Sequence, residues 1–320
     1  MLSRRTLIKT SALALTQLRG SGLLAQASPL PPLDSTIQGV LMGVQSASFT
    51  FSGMGIPDII KTMRAVGLST IDTMSEHVEN FLGAPVSLPG EGRQGPWVPR
   101  PARPAGAPSG FSKPDPAKRE ALRQWRLQAD LSKFKEVGQM FTGAGLRFFS
   151  YNLSFDESYT DAEIDKSFLM TKALGTRIVT ASSPNEIFPR LKPFAEKHDV
   201  IVALHNHTIG PKDFAQVVAL SDMFWINLDV GHFFASGYDP VSFMQEHHAR
   251  ITNIHIKDRK SHLGESVPFG DGETPLPAVF HLMKTEKYRF PACLEYVGPA
   301  GPAIELASCL QYCKDTIKSV

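Results

Sequence analysis

The stretch Ile226-Asn227-Leu228-Asp229-Val230-Gly231-His232 decides how this chain is interpreted. Its apolar lead-in is typical of a buried strand, and a carboxylate and an imidazole come at the carboxyl end of that strand. Three further stretches of the C-terminal half have the same form: residues 202–207, 254–258 and 293–296. Because a closed parallel barrel brings the carboxyl ends of its strands to one mouth, these four polar clusters are predicted to converge there.

Segments with strand-like and helix-like patterns alternate along most of the chain. Apolar or β-branched runs predict strands at residues 40–44, 69–74, 146–152, 177–181, 200–204, 224–228, 251–256 and 292–296. Helical patterns lie between and after them, at residues 56–66, 116–138, 161–174, 186–198, 211–219, 241–248, 277–283 and 303–317. Eight strands alternating with helices favour an α/β fold, a (β/α)8 TIM barrel in a single domain over residues 37–320.

One long segment interrupts this alternation after the second predicted strand. Residues 83–116 are rich in Pro, Gly and Arg and have no apolar periodicity. Such a composition is typical of an irregular insertion and should not be forced into helices or strands.

The first residues have the pattern of a targeting segment. Arg4-Arg5 precede an apolar stretch, and Ala25-Gln26-Ala27 fits a cleavage site, so residues 1–27 resemble a twin-arginine export signal, with residues 28–36 as a linker. The prediction is therefore a periplasmic or exported protein, the alternative being a disordered basic tail. The apolar stretch is too short for a permanent membrane span.

The charge balance argues against polyanionic partners. Lys and Arg total 33 and Asp and Glu total 31, which gives a net charge of +2. Nothing in this balance calls for nucleic acid or an anionic membrane, and the Arg-rich insertion has few aromatic residues interleaved with its charges, Trp97 and Phe111 alone. A small-molecule partner fits better, and a homo-oligomer is left open.

The strand-end clusters supply a candidate metal site. His205, Asp229, His255 and Glu295 offer the imidazoles and carboxylates that suit a borderline divalent ion, Mn, Co or Mg, with Zn as a further choice. Each has a structural alternative: Asp229 as a helix cap, His255 as a core histidine, and Glu295 as a cap or ion-pair partner.

Other polar residues of the same clusters receive catalytic or binding roles. Strand alternation places His205 and His207 on one face, so either could be the ligand while the other transfers protons. The candidate catalytic residues are Glu295, His207 and Lys257, the last to stabilise charge on a substrate oxygen. The candidate substrate contacts are His232 and Asn206 from these clusters and Glu76 from the end of the second predicted strand.

Taken together, these motifs resemble the xylose isomerase-like barrel family of sugar isomerases and epimerases, which includes endonuclease IV-type proteins. The resemblance is carried by Leu-Asp-Val-Gly-His at 228–232, Asn-Ile-His-Ile-Lys-Asp at 253–258, Phe-Gly-Asp-Gly-Glu at 269–273 and Leu-Glu-Tyr at 294–296. It implies that Asp229, His255 and Glu295 bind a divalent ion. Many relatives have a glutamate on the fifth strand, where this chain has His205, which puts an epimerisation by two symmetric glutamates in doubt.

The function predicted from these observations is a divalent-metal-dependent sugar isomerase or epimerase that works through an enediolate next to a carbonyl. The His-Asn-His sequence at 205–207 is similar to the branch with inosose dehydratase-like and keto-glycoside-processing members, so a lyase or hydratase acting on keto-glycosides is the alternative. A non-catalytic sugar-binding barrel is a third interpretation. Phosphodiester hydrolysis is less favoured because it calls for more metal ligands and a basic groove.

Overall fold

The computed structural model describes residues 29–91 and 115–320. The predicted export signal, residues 1–27, and most of the predicted insertion, residues 92–114, lie outside the described residues. Within the described ranges, no helix combines the length and the apolar character needed to cross a membrane.

Eight parallel strands close into a barrel. A short strand, β1 (Thr36–Ile37), pairs antiparallel with the first of them and falls partly in the predicted linker. The barrel strands are β2 (Val40–Gln45), β3 (Thr70–Met74), β4 (Arg147–Asn152), β5 (Ile178–Ala181), β6 (Ile201–His205), β7 (Phe224–Asp229), β8 (Ile251–Ile256) and β9 (Ala292–Leu294). Each pairs with the next along the chain, and β2 pairs with β9 to close the ring. The predicted (β/α)8 barrel in a single domain is confirmed.

Helices follow the strands and surround the barrel. They are α1 (Ile56–Val66), α2 (Ser75–Phe81), α3 (Pro116–Gln128), α4 (Leu131–Gly143), α5 (Asp161–Ala173), α6 (Phe188–His198), α7 (Pro211–Val218), α8 (Val230–Ala235), α9 (Pro240–His247), α10 (Leu276–Thr285) and α11 (Pro302–Ser319). An apolar layer lies between strands and helices; Leu228, Ile254 and Ile256 in it are fully buried. Burial of each such side chain stabilises the fold by about 1.5–3 kcal/mol.

Two helices differ from the sequence prediction because aspartates cap them. The predicted helix at 116–138 is broken, since the Asp130 carboxylate accepts a hydrogen bond from the Ser132 amide at 2.8 Å and starts α4. The short helix α8 was not predicted; Asp229 caps it through the His232 amide at 2.7 Å. Glu76, predicted at the end of a strand, lies in the first turn of α2.

A buried ion-pair cluster fixes α3 against the barrel. The Arg126 guanidinium, 4% exposed, donates to both Glu79 carboxylate oxygens at 2.7 and 2.9 Å. It also donates to Glu163 Oε1 at 3.0 Å and to the Tyr159 hydroxyl at 2.6 Å. The first helix after the insertion is thereby tied to α2 and α5 at once.

Replacing Arg126 by methionine is expected to destabilise the protein by about 3–5 kcal/mol, because the buried Glu79 carboxylate loses its cation. Glu163 keeps its pair with Arg119. Urea unfolding followed by circular dichroism measures this. Lys133→Met, which removes an exposed pair with Glu136, should cost about 0–1 kcal/mol. Equal unfolding midpoints for the two variants would contradict the structural role of the cluster.

Candidate metal centre

The interior of the barrel mouth is lined by polar side chains. Asp72, fully buried at β3, accepts hydrogen bonds from the Thr180 hydroxyl at 2.8 Å and from Gln45 Nε2 at 3.2 Å. It also accepts one from His255 Nε2 at 2.9 Å. Since β3 and β8 are not neighbours in the sheet, this bond crosses the barrel and shows that both side chains point inward.

Three of the predicted ligands meet at the ends of neighbouring strands. His205 ends β6, Asp229 ends β7, and His255 lies opposite Asp229 on β8. Each of the three side chains offers one ligand atom, and these atoms all lie within 4.8 Å of one another. All three residues are buried. The strand pattern thus predicted a real convergence.

Hydrogen bonds indicate which nitrogen of each histidine is left for a ligand. His205 Nδ1 lies 2.8 Å from Asn227 Oδ1, and Asn227 uses its Nδ2 on the Asn253 carbonyl at 3.3 Å. The amide therefore presents its oxygen to His205, which donates from Nδ1 and keeps a lone pair on Nε2. His255 donates from Nε2 to Asp72, which leaves Nδ1 on the other side of the ring.

Within the described residues, two buried atoms of this group make no hydrogen bond: Asp229 Oδ2, 3.3 Å from Lys257 Nζ, and His255 Nδ1, 3.2 Å from Glu295 Oε2. A buried polar atom without a partner costs about 1–3 kcal/mol, so such a pair needs an explanation. Two imidazole nitrogens and a carboxylate oxygen are a donor set suited to a borderline divalent ion. The residues present therefore fit such an ion, with His205 Nε2, Asp229 Oδ2 and His255 Nδ1 as the atoms that would hold it.

Glu295 stands beside this group and pairs with Lys257. Lys257 Nζ lies 2.7 Å from Glu295 Oε1 and 3.3 Å from Asp229 Oδ2. Glu295 Oε2 lies 3.2 Å from His255 Nδ1, without the alignment of a hydrogen bond. The carboxylate thus contacts one member of the three-ligand group while Lys257 bridges it to another.

Burial and neighbouring charges set the protonation of these side chains. Burial raises the pKa of Glu295, but Lys257 and His255 outweigh it and hold that pKa well below its ordinary value. Burial, and then the charge of His255, lowers the pKa of His205 to about 3, so His205 is neutral. Although burial opposes it, the hydrogen bond to Asp72 and the neighbouring Glu295 carboxylate raise the pKa of His255 to about 9. A divalent ion at His255 would displace that proton.

His207 and His232 lie at the rim of the site. The His207 ring centroid is 5.0 Å from those of His205 and His232, and His207 is exposed. The sequence left open whether His205 or His207 is the metal ligand, and the structure places His205 in the buried group with Asp229 and His255. His232 Nε2 lies 3.1 Å from Lys257 Nζ, and burial followed by the Lys257 charge lowers the pKa of His232 well below its ordinary value.

The two remaining predicted substrate contacts have other partners. Asn206 uses both ends of its amide on the backbone of Asp229, with its Nδ2 donating at 3.1 Å and its Oδ1 accepting at 2.8 Å. It thereby keeps β6 and β7 together where they end. Glu76 accepts from the Ser75 hydroxyl at 3.3 Å, and burial raises its pKa. Among the described residues, Glu76 makes no hydrogen bond or ion pair with His205, Asp229 or His255, so both substrate roles stay predictions.

Three residues of the site were not predicted: Asp72, Asn227 and Arg259. Asn227 and Arg259 lie two residues from Asp229 and Lys257 respectively, so the same alternation that places His205 and His207 on one face could have found them. Arg259 donates from Nη1 to His232 Nδ1. No sequence signal points to Asp72, because uncharged residues follow it up to Met74 and its hydrogen-bond partner His255 lies 183 positions away.

The family model of xylose isomerase-like TIM barrels matches residues 102–313. The chain belongs to this family. That match covers the strand-end clusters from β4 to β9, where the proposed ligands lie. A sequence search of curated proteins found no match.

Solved structures with the same fold come from several enzymes. A sugar phosphate isomerase/epimerase from Parabacteroides distasonis has 17% identity and a TM-score of 0.59, covering 89% of this chain and 98% of that one. The probable 3-DHS dehydratase AsbF from Bacillus anthracis has 15% identity and a TM-score of 0.59, covering 84% and 97%. The IOLI protein with a bound zinc atom has 16% identity and a TM-score of 0.56, covering 88% and 97%. At these identities the likeness shows the fold alone.

Proposed function

We propose that this protein is a divalent-metal-dependent enzyme that isomerises or epimerises a sugar by moving a proton next to a carbonyl. One observation carries the proposal: a buried group of three side chains lies directly beside the Glu295–Lys257 pair. The group is His205, Asp229 and His255, and two of its candidate ligand atoms make no hydrogen bond with a described residue. Enediolate chemistry requires ligands for a metal ion, a base that removes the proton and a positive charge that stabilises the substrate oxygen.

The metal part of the proposal is supported by the donor atoms and by the zinc held in the similar IOLI structure. When bound, the ion would polarise a carbonyl and the hydroxyl next to it, which makes the carbon-bound proton more acidic. Mn, Co, Mg and Zn are the candidates.

Glu295 is the proposed base. Its pKa lies well below the ordinary value, so it is ionised at neutral pH and can accept a proton from the substrate carbon. It is 16% exposed, so it is accessible from the mouth, whereas Asp229 is fully buried. The Lys257 ammonium, 2.7 Å from it, is placed to stabilise the oxygen on which negative charge develops.

The sugar itself would be bound at the rim. His207 is exposed and lies against His232, so both imidazoles can meet hydroxyl groups of a substrate that reaches Glu295. One of them could also return a proton to the product. We infer that the natural substrate is a sugar or keto-glycoside rather than a polymer.

A second candidate is β-elimination or hydration of a keto-glycoside. It is favoured by the hydrogen bond between His205 Nδ1 and Asn227, which commits His205 to a ligand role with a neutral ring. Among the residues that the structure describes, the site then has one accessible carboxylate, Glu295, and no second one beside the ligand group for proton transfer on the opposite face. One base is enough for removal of the proton next to a carbonyl, and the similar structure of a probable dehydratase fits this reaction.

The experiment that tests the function combines metal analysis with a substrate screen. Purified protein is analysed for Mn, Co, Zn and Mg, and is then incubated in heavy water with ketoses, aldoses and 3-keto-glucosides. Deuterium at a carbon next to the carbonyl, with an isomeric sugar as product, supports the main proposal; loss of the glycosidic group supports the second. Binding of sugars without exchange on any substrate would favour a non-catalytic barrel.

Asn227→Leu is expected to lower metal affinity about 10- to 100-fold, because His205 loses the partner that orients its ring. Titration calorimetry of metal-free protein with Zn²⁺ or Mn²⁺ measures this. The control is Thr252→Val, which removes a buried hydroxyl that donates to the Ile226 carbonyl and contacts no metal ligand. Unchanged affinity in Asn227→Leu would show that His205 does not bind the ion.

We also propose export by the twin-arginine route. Arg4→Lys combined with Arg5→Lys is expected to leave the protein in the cytoplasm with residues 1–27 uncleaved, since the paired arginines are the recognised part of such a signal. Cell fractionation and intact mass of the recovered protein measure this. Lys9→Gln is the control. Equal export of the two variants would contradict the assignment.

A further inference from the structure

A chain of hydrogen bonds leads from Asp72 to the carboxyl end of β4. The Thr180 hydroxyl on β5 donates to Asp72 Oδ1 at 2.8 Å, and Asn152 Nδ2 lies 3.0 Å from the Thr180 oxygen. Asn152 is the last residue of β4 and is partly exposed, whereas Thr180 and Asp72 are fully buried. The chain thus begins inside the barrel and ends at a side chain that is accessible from the mouth.

The direction of each bond in this chain follows from the chemistry of the groups. Gln45 Oε1 accepts from the Ala47 amide at 3.1 Å, so Gln45 turns its Nε2 to Asp72 and donates there. A carboxylate only accepts hydrogen bonds, and a hydroxyl has one proton to donate. Because Thr180 uses that proton on Asp72, its oxygen must accept from its other neighbour, Asn152.

The amide of Asn152 can therefore take only one orientation. Its NH2 end donates to Thr180, and its carbonyl oxygen, Oδ1, points away from Thr180. Among the residues that the structure describes, none donates a hydrogen bond to this oxygen. A partly exposed acceptor at the carboxyl end of a barrel strand is well placed to receive a donor from a bound molecule.

Asn152 faces the proposed metal site across the mouth. In the closed ring of eight strands, β4 lies four strands from β8 in either direction, so it is opposite the strand that carries His255 and leads to Lys257. A sugar whose carbonyl lies at the metal would extend across the mouth towards β4. The hydroxyl groups at its far end are donors that Asn152 Oδ1 can accept.

We propose that Asn152 is a specificity residue that accepts a hydrogen bond from a free hydroxyl at the end of the sugar remote from the carbonyl. The reaction of that sugar rests on the proposed function, whereas the orientation of the amide does not. A phosphate ester at the same hydroxyl carries up to two negative charges at neutral pH and offers acceptors. It would meet Asn152 Oδ1 and the Asp72 carboxylate behind it, so the substrate class is an unphosphorylated sugar or glycoside.

The orientation of the amide is tested without substrate by nuclear magnetic resonance. In protein labelled with ¹⁵N at asparagine, the Asn152 side-chain signals are those lost in Asn152→Leu. In the wild type their protons should show nuclear Overhauser contacts with the Thr180 methyl group. Thr180→Val should shift these signals, whereas Thr252→Val should not. Absence of the contacts, or unchanged signals in a folded Thr180→Val protein, overturns the proposal.

Binding is tested with the same signals. Ketoses, aldoses and 3-keto-glucosides are added at millimolar concentration, with and without Zn²⁺, followed by the monodeoxy analogues and phosphate esters of each sugar that shifts the signals. In the wild type, the analogue and the ester altered at one hydroxyl should bind about 10-fold more weakly than the parent sugar. In a folded Asn152→Leu protein, that deoxy analogue and the parent should bind equally. If no sugar shifts the Asn152 signals, or if a phosphate ester binds more tightly than its parent, the proposal is wrong.

Turnover distinguishes this proposal from the proposed function. For a sugar that exchanges deuterium, Asn152→Leu should raise KM about 10-fold with kcat changed less than about 3-fold, since the lost contact is remote from the reacting carbon. Ser154→Ala, an exposed neighbour in the loop after β4, is the control and should leave both unchanged. An unchanged KM in Asn152→Leu refutes the role of Asn152 and leaves the proposed function intact. Sugar binding at Asn152 without exchange by the wild type refutes the proposed function and leaves the role of Asn152 intact.

Discussion

Asp229→Asn is expected to yield a folded protein that has lost its divalent ion and at least about 10³-fold of its activity. The two carboxylate oxygens of Asp229 have separate roles. Oδ1 accepts a hydrogen bond from the His232 amide and caps α8, while the buried Oδ2, which makes no hydrogen bond with a described residue, is the proposed metal ligand. Asparagine is as good a helix cap as aspartate but offers no anionic oxygen to an ion. Elemental analysis and the deuterium-exchange assay measure the two losses.

Asp239→Asn is a matched control for this prediction. Asp239 also caps a helix, with its carboxylate accepting from the Val241 amide at 2.9 Å, but it is exposed and outside the barrel mouth. Its variant should keep metal and activity. If Asp229→Asn keeps a stoichiometric amount of metal, Asp229 is not the central ligand, and the proposed metal-dependent chemistry is contradicted.

The fold and the convergence of three candidate ligands followed from two simple sequence patterns. Apolar runs that end in polar residues predicted the strands, and the rule that parallel strands end at one mouth predicted that His205, Asp229 and His255 meet. Neither step requires knowledge of a distant contact. Residues far apart in the chain can therefore be grouped from the sequence alone.

What could not be predicted depends on partners that are remote in sequence or on local caps. The ligand nitrogen of His255 depends on Asp72, 183 positions away, and that of His205 depends on the amide orientation of Asn227. The choice between His205 and His207 likewise depends on which ring is buried. Glu76 was placed at a strand end because the pattern did not indicate that α2 begins directly after Met74.

Glu295→Gln is expected to reduce kcat by about 10²- to 10⁴-fold at saturating metal, because glutamine cannot accept a proton from carbon. The change is nearly isosteric and leaves His205, Asp229 and His255 in place. Glutamine also keeps an oxygen for Lys257, whose ammonium now lies 2.7 Å from Oε1. The assay is deuterium exchange at the substrate carbon, measured over a series of Zn²⁺ or Mn²⁺ concentrations.

The series of metal concentrations distinguishes a catalytic base from a residue that only helps to bind the metal. Asn227→Leu weakens binding only, so excess metal should restore its activity, whereas no metal concentration should restore Glu295→Gln. Glu305→Gln, which alters a carboxylate that accepts from the Ala300 amide at 2.9 Å, is the control and should behave as wild type. Rescue of Glu295→Gln by excess metal would mean that Glu295 acts through the ion alone. Proton transfer would then belong to another residue of the mouth, and the exposed imidazole of His207 would be the first to test.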